Sequence, residues 1–262
     1  MIWSALSRRL ARWREQRAVA RRPIDDGLWR RTLKRYPFLQ RRDARLEQEL
    51  RRLCSVFLDR KEFTAVGGLR LDNHVVVAIA AQACLPVLRL GLSHYDGFVG
   101  IVVHADQVVA RREVRDDDGL VHEYDEVLAG EAMSGGPLML SWRDVRGAGS
   151  SAAQGYNVVI HEFAHVLDME DGQPDGLPLL PADIPLREWS AVMRAEYDAL
   201  VRAVDAEQET LLDPYAAQGP EEFFAVASEC FFVAPKPLRE QQPQLYLLLK
   251  RYYRQDPAEE MP

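Results

Sequence analysis

The sequence predicts an α+β fold, a small mixed sheet flanking one buried helix, with a mostly helical C-terminal half. Three observations carry this. Between residues 97 and 142, short β-rich runs are separated by Asp116-Asp117-Asp118-Gly119 and Ser134-Gly135-Gly136, clusters of the kind that end strands. Val158 to Leu167 is nearly continuously apolar, the pattern of a helix buried on most of its surface. Beyond residue 186, three segments hold a helical period.

The elements follow in order. Residues 1–24 read as a basic arm, 25–257 as a single domain and 258–262 as a tail. In the arm, Arg8, Arg9, Arg12, Arg14, Arg17, Arg21 and Arg22 surround Trp3, Leu6, Leu10 and Trp13 at helix-like spacing. That pattern permits contact with nucleic acid or an anionic membrane, but docking on the chain's own acidic body, or a solvated arm, is favoured. The charge is divided accordingly: residues 1–61 hold 18 Lys and Arg against 7 Asp and Glu, and the remainder holds 15 against 33. Asp25 to Arg60 reads as helices with a turn at Tyr36-Pro37, and Val66-Gly67-Gly68-Leu69 breaks the chain.

Val75 to Leu88 is the longest apolar stretch. Gln82 and Pro86 interrupt it, and it is shorter than the roughly 18 residues a membrane span needs, so it reads as a buried helix. Strands are expected over 97–104, 107–110, 120–124 and 137–142. Leu138-Met139-Leu140-Ser141-Trp142 is the candidate for an open-edged strand that pairs with an extended ligand, the other reading being an internal strand. Helices are then expected from Val158 with Asn157 as N-cap, over 186–204, over 220–232 behind Pro220, and over 238–253, with a Gly, Pro and Asp-rich loop over 172–185.

Composition bounds the class. The chain of 262 residues is 47% hydrophobic and 28% charged, with a net charge of −7, which suits a soluble globular protein with one substantial core. Cys54, Cys84 and Cys230 are odd in number and far apart, as expected of free thiols in a reducing compartment. Met1 to Leu6 is too short an apolar run for a secretion signal, and the cytoplasm is the default location.

The chemistry lies in His161-Glu162-Phe163-Ala164-His165. At about 100° per residue, positions four apart sit about 40° apart around a helix and one turn along it, so both imidazoles can reach one metal ion. Glu162 lies to one side, where it can deprotonate a water on that metal; this is a zinc-peptidase signature. An ordinary core helix with two satisfied histidines is the bland alternative, at the cost of burying polar rings. A catalytic zinc usually has three protein ligands, and no third histidine follows His165 at close range. Glu222 and Glu229, seven apart on one face of the 220–232 helix, are the carboxylate candidates, with Glu221 about 100° away. Glu222 could equally serve only the helix dipole. Asp168, three residues past His165, either accepts the outer N–H of a ligand histidine or simply begins a polar turn. His74, His94, His104 and His122 stand alone and read as structural.

Gly155 to Gly172 and Asp213 to Phe232, with Leu85 to Leu92 and Asp96-Gly97-Phe98, resemble the Mlc titration factor A family of bacterial zinc peptidases, over most of residues 50 to 257. The spacing from Tyr215 to Glu222 also resembles the metallopeptidase domain of anthrax lethal factor. The resemblance implies a zincin-like fold with one zinc ion held by His161, His165 and Glu222. It implies Glu162 as general base and Tyr215 as the group facing the oxyanion, where the bland reading of Tyr215 is a turn residue. It implies a peptidase acting on peptide or protein substrates, with aminopeptidase action as one form, that also binds a DNA-binding transcriptional repressor. The alternative is a non-catalytic protein that sequesters the repressor. Asp168 and Glu229 are the candidate supports behind the ligands.

Overall fold

The structure, a computed structural model, describes residues 13–41, 43–115, 121–133 and 135–261, with backbone alone for 109–115 and 121–128. Trp3, Leu6, Leu10 and Arg8, Arg9 and Arg12 of the arm, and the turn Asp116 to Gly119, lie outside the described residues, as does the side chain of His122.

Helix α1 spans Asp26–Arg35 and starts where Asp25 accepts the Leu28 N–H at 2.9 Å. Helix α2, Ala44–Arg60, buries Leu46, Leu50, Leu53, Cys54 and Phe57 along one stripe. Residues 13–21, part of the stretch read as an arm, are helical and lie on α2: Ala18 is buried, Arg21 bonds Asp59 at 2.8 Å and Glu15 pairs with Arg52 at 2.7 Å. Strand β1, Glu62–Val66, is followed by α3, Asn73–Cys84, which is buried on nearly every side. No helix among the described residues is long and apolar enough to cross a membrane.

A four-stranded mixed sheet is ordered β1-β2-β6-β5, from β2 (Gly100–His104), β5 (Gly130–Glu131) and β6 (Leu138–Ser141). β1, β2 and β6 are parallel, and β5 runs antiparallel to β6. Strands β3 (Val108–Arg115) and β4 (Val121–Leu128) form a separate antiparallel hairpin between β2 and β5. The expectation of an open edge at Leu138 to Trp142 is therefore corrected. β6 is paired on both sides, by β2 and β5, and Trp142 already belongs to a helix. The sheet order places β1 and β5 at the two edges.

From Trp142 onward every described element is helical: α4 (Trp142–Ser151), α5 (Val158–Asp168), α6 (Leu186–Asp205), α7 (Pro220–Val233), α8 (Pro235–Gln241), α9 (Pro243–Tyr253) and α10 (Pro257–Glu260). The single helix expected over 238–253 is two. Pro243 has no N–H to continue α8 and forces Gln242 out of helical geometry, to φ −130° and ψ 64°. Helix α5 is central, packing against α7, α3, α4 and the β5 and β6 strands. Its Phe163 ring lies 4.8 to 5.9 Å from those of Phe57, Tyr95 and Phe98. Burying a side chain of that size contributes about 1.5–3 kcal/mol.

Helix α4 tests the tightness of this packing. A Cβ on Gly149 would lie 2.1 Å from the Arg35 carbonyl oxygen. Gly149→Ala should gain about 1 kcal/mol of helix propensity yet destabilise the protein by about 1–3 kcal/mol through overpacking, seen as a lower urea midpoint. A raised midpoint would show that α1 and α4 can part freely.

Candidate metal centre

Helix α5 begins at Asn157, whose Oδ1 accepts the Ile160 N–H at 3.0 Å as an N-cap. Val158, Val159, Ile160, Phe163, Ala164 and Leu167 are each no more than 2% exposed, so the apolar contacts fix the helix's rotation. His161 and His165 then emerge together on one half-buried face. Helix α7 arrives behind Pro220 at its first turn and carries Glu222 to the same point.

The three donor atoms form a nearly equilateral triangle. The two Nε2 atoms of His161 and His165 are 3.1 Å apart, and Glu222 Oε2 lies 3.2 and 3.4 Å from them. For metal–ligand bonds of about 2.0–2.1 Å, the edge of a coordination tetrahedron is roughly 3.3–3.4 Å, so the triangle has the size of one face of such a site. Glu222 Oε2 is buried and has no hydrogen-bond partner despite its neighbours. A cation shared by all three atoms would resolve both that deficit and the contact of two imidazole nitrogens. His161, His165 and Glu222 are the one group among the described residues that could hold a metal ion; Glu221 is outside it.

The electrostatics follow from burial and proximity. Burial would raise the Glu222 carboxyl, but His161 and His165 outweigh it and hold its pKa at about 2. Burial would lower His161, but Glu229, Glu222 and Glu162 hold it well above its ordinary value. Glu162 is pushed up to about 7, chiefly by burial and against the pull of the two histidines. Its carboxyl packs on Gly130 of β5, where a Cβ would lie 2.5 Å from Oε1, so only a glycine admits it there.

A second layer lies behind His161. Glu229, 1% exposed and raised above its ordinary pKa by burial, accepts from His161 Nδ1 at 2.7 Å through Oε1. This makes Nδ1 the donor to Glu229 and leaves Nε2 turned to the triangle. Glu229 Oε2 accepts the Asn157 backbone N–H, and Asn157 Nδ2 donates to Gln82 Oε1 at 2.8 Å.

The other candidates are placed as follows. Asp168 accepts from a loop: Oδ2 takes the Gly176 N–H at 2.9 Å, Oδ1 is buried without a partner, and burial pushes the carboxyl up to about 7. The Gly176 carbonyl accepts Trp189 Nε1 at 3.1 Å, and the Trp189 ring lies 5.8 Å from Phe224 of α7. Tyr215 sits in the turn Pro214–Ala217, 38% exposed, its ring 6.1 Å from that of His161. It lines a cleft of about 350 Å³ with His161, Glu162, Gly130 and Asp213. His74 stacks edge-on with Trp142 and His94 pairs with Glu170 at 2.6 Å, both away from the triangle. Gly130 and Gln82 were not expected at the site. A lone amide in an apolar helix was the available signal for Gln82, while nothing local marked Gly130.

Fold and donor set define a mixed α+β protein with a preformed candidate metal site. The chain belongs to the glucose-regulated metallo-peptidase M90 family, whose model matches residues 10–254. It is 36% identical to Mlc titration factor A of Salmonella arizonae over 90% of this chain and 94% of that protein. It is 38% identical to Mlc titration factor A of Pectobacterium atrosepticum over 80% and 79%, and 35% identical to an uncharacterized protein of Synechocystis over 94% and 89%. The family match takes in residues 13–24, well before the region that carried the sequence resemblance.

The protein should bind one divalent metal ion per chain, and His161→Ala, His165→Ala or Glu222→Ala should lose it on dialysis, because two ligands hold such an ion poorly. Glu221→Ala should retain it. Elemental analysis decides, and full occupancy in either histidine variant would dissolve the triangle as a ligand set.

Proposed function

We propose that the protein is a zincin-like, zinc-dependent peptidase, a reading carried by the 3.1 to 3.4 Å triangle of His161, His165 and Glu222 beside a buried Glu162. Two imidazoles and one carboxylate suit zinc. A bound zinc supplies a Lewis acid that polarises the scissile carbonyl and makes water acidic enough to react near neutrality.

The chain's own groups supply the rest. Glu162, held against Gly130 and raised to about 7, accepts the water proton and can pass it to the leaving amine. Tyr215, at the cleft wall, donates a hydrogen bond to the carbonyl oxygen as negative charge develops there. Glu229 holds the His161 ring in one tautomer. An extended peptide laid beside Gly130 meets the sheet edge, which gives main-chain recognition tolerant of sequence. Aminopeptidase action is one form of this reaction. Three free, buried cysteines fit a cytoplasmic setting.

A second reading comes from the relatives named Mlc titration factor A: capture of a transcriptional repressor, with or without catalysis. Two variants separate the readings. Glu162→Gln should keep metal and fold but lose peptide hydrolysis by at least about 10²-fold, since an amide accepts no proton; activity near wild type in the metal-loaded variant would remove Glu162 as base and favour a binding role. Tyr215→Phe should lower kcat by about 10²–10³ with KM and metal content little changed. An unchanged kcat in that variant would take the phenol out of the reaction.

A further inference from the structure

Behind His161 the hydrogen bonds continue into the core without a break. Gln82 and Asn157 are 0% exposed, and so lie beyond the reach of solvent. Gln82 Nε2 donates to the Ala78 carbonyl of its own helix at 3.1 Å, which leaves Oε1 facing Asn157. Asn157 Nδ2 donates to that Oε1 at 2.8 Å, while Asn157 Oδ1 accepts the Ile160 N–H. Neither amide can flip without setting donor against donor or acceptor against acceptor. The Asn157 backbone N–H is thereby aimed at Glu229 Oε2, and Glu229 Oε1 receives His161 Nδ1. Asn157 meets His161 a second way, since its carbonyl accepts the His161 backbone N–H at 3.0 Å.

We infer that Gln82 and Asn157 are positioning residues for the metal ligand His161, setting its ring angle through Glu229. The inference rests on the reading of His161, His165 and Glu222 as a metal centre. Capping uses only Oδ1 of Asn157, and serine or aspartate would cap as well; the Nδ2 contact with Gln82 is what an amide adds at 157. Helix α3 gains nothing in packing from a fully buried glutamine where its neighbours are Ala80, Ala81 and Ala83. What the pair does achieve is a single allowed pattern of donors and acceptors from α3 to the carboxylate that holds the ligand. Outer partners of metal ligands change affinity by about 10–100-fold when removed, and this pair lies one hydrogen bond further out.

The test uses the full chain loaded with Zn²⁺, and with Co²⁺ as a spectroscopic probe. Gln82→Met removes the acceptor at nearly constant volume; Asn157→Ser keeps a capping oxygen but has no amide to reach Gln82. Both should weaken Zn²⁺ binding about tenfold in chelator competition and shift the visible Co²⁺ bands. Gln82→Glu, protonated in the core, still accepts from Asn157 Nδ2 and donates to Ala78, and should restore both readouts. A purely structural role would lower the unfolding midpoint of the metal-free variants and leave the affinity and Co²⁺ spectrum of the folded protein alone, which would overturn the inference. So would equal loss in Gln82→Glu and Gln82→Met. If Gln82→Met does not fold, Asn157→Ser reads the same contact. A wild-type chain that takes neither ion would overturn the metal-centre reading and the inference with it, a result distinct from a loaded wild type with insensitive variants.

Discussion

Helix α5 is enclosed by apolar groups, with Val159, Ile160, Phe163, Ala164 and Leu167 fully shielded, yet the same eleven residues carry His161, Glu162 and His165. A polar group in such surroundings must find a partner or cost several kcal/mol. Each of the site's features answers that demand. Glu229 supplies an acceptor for one ring, Gly130 leaves a space for the Glu162 carboxyl, and Glu222 closes the triangle. Apolar packing fixes the rotation of the helix, and that rotation decides which side chains must be satisfied together.

Part of the charge division along the chain is met locally, while Arg41 and Arg60 reach Glu260 and Asp96 of the acidic remainder. Arg52 pairs with Glu49 and Glu15, Arg21 with Asp59 and Arg51 with Asp26, all within the first 61 residues. Exposed pairs of this kind contribute at most about 1 kcal/mol each, so they hold the N-terminal helix in place less than the burial of Ala18 and Ile24 does. Their effect is to occupy Arg21, Arg51 and Arg52, three of the arginines that composition alone would leave to an anionic partner.

Local patterns announced much of this structure. The pair His161 and His165, the cap at Asn157, the Pro220 start of α7 and the shared face of Glu222 and Glu229 all depend on helical spacing, which a single segment reveals. What stayed hidden depends on contacts between distant segments. β1 at Glu62–Val66 is a strand because β2 pairs with it, and its five residues carry too little pattern to announce that. The edge on the β6 side belongs to β5, two residues long, because β2 and β5 take both sides of β6. Helix α4 contains Gly147 and Gly149, poor helix formers that the α1 backbone requires at one position. Gln82 looked like an interruption of an apolar run, since its partner is 75 residues away.

The link from Asp168 through Gly176 and Trp189 to Phe224 joins the end of α5 to the start of α7 by protein contacts alone. The two helices that carry the donor triangle are thus also joined to each other away from the triangle. The consequence is kinetic. An ion entering or leaving such a frame would displace water and protons with no helix having to dock first. Exchange of an ion held there would then depend on access through the cleft and on the lability of individual bonds.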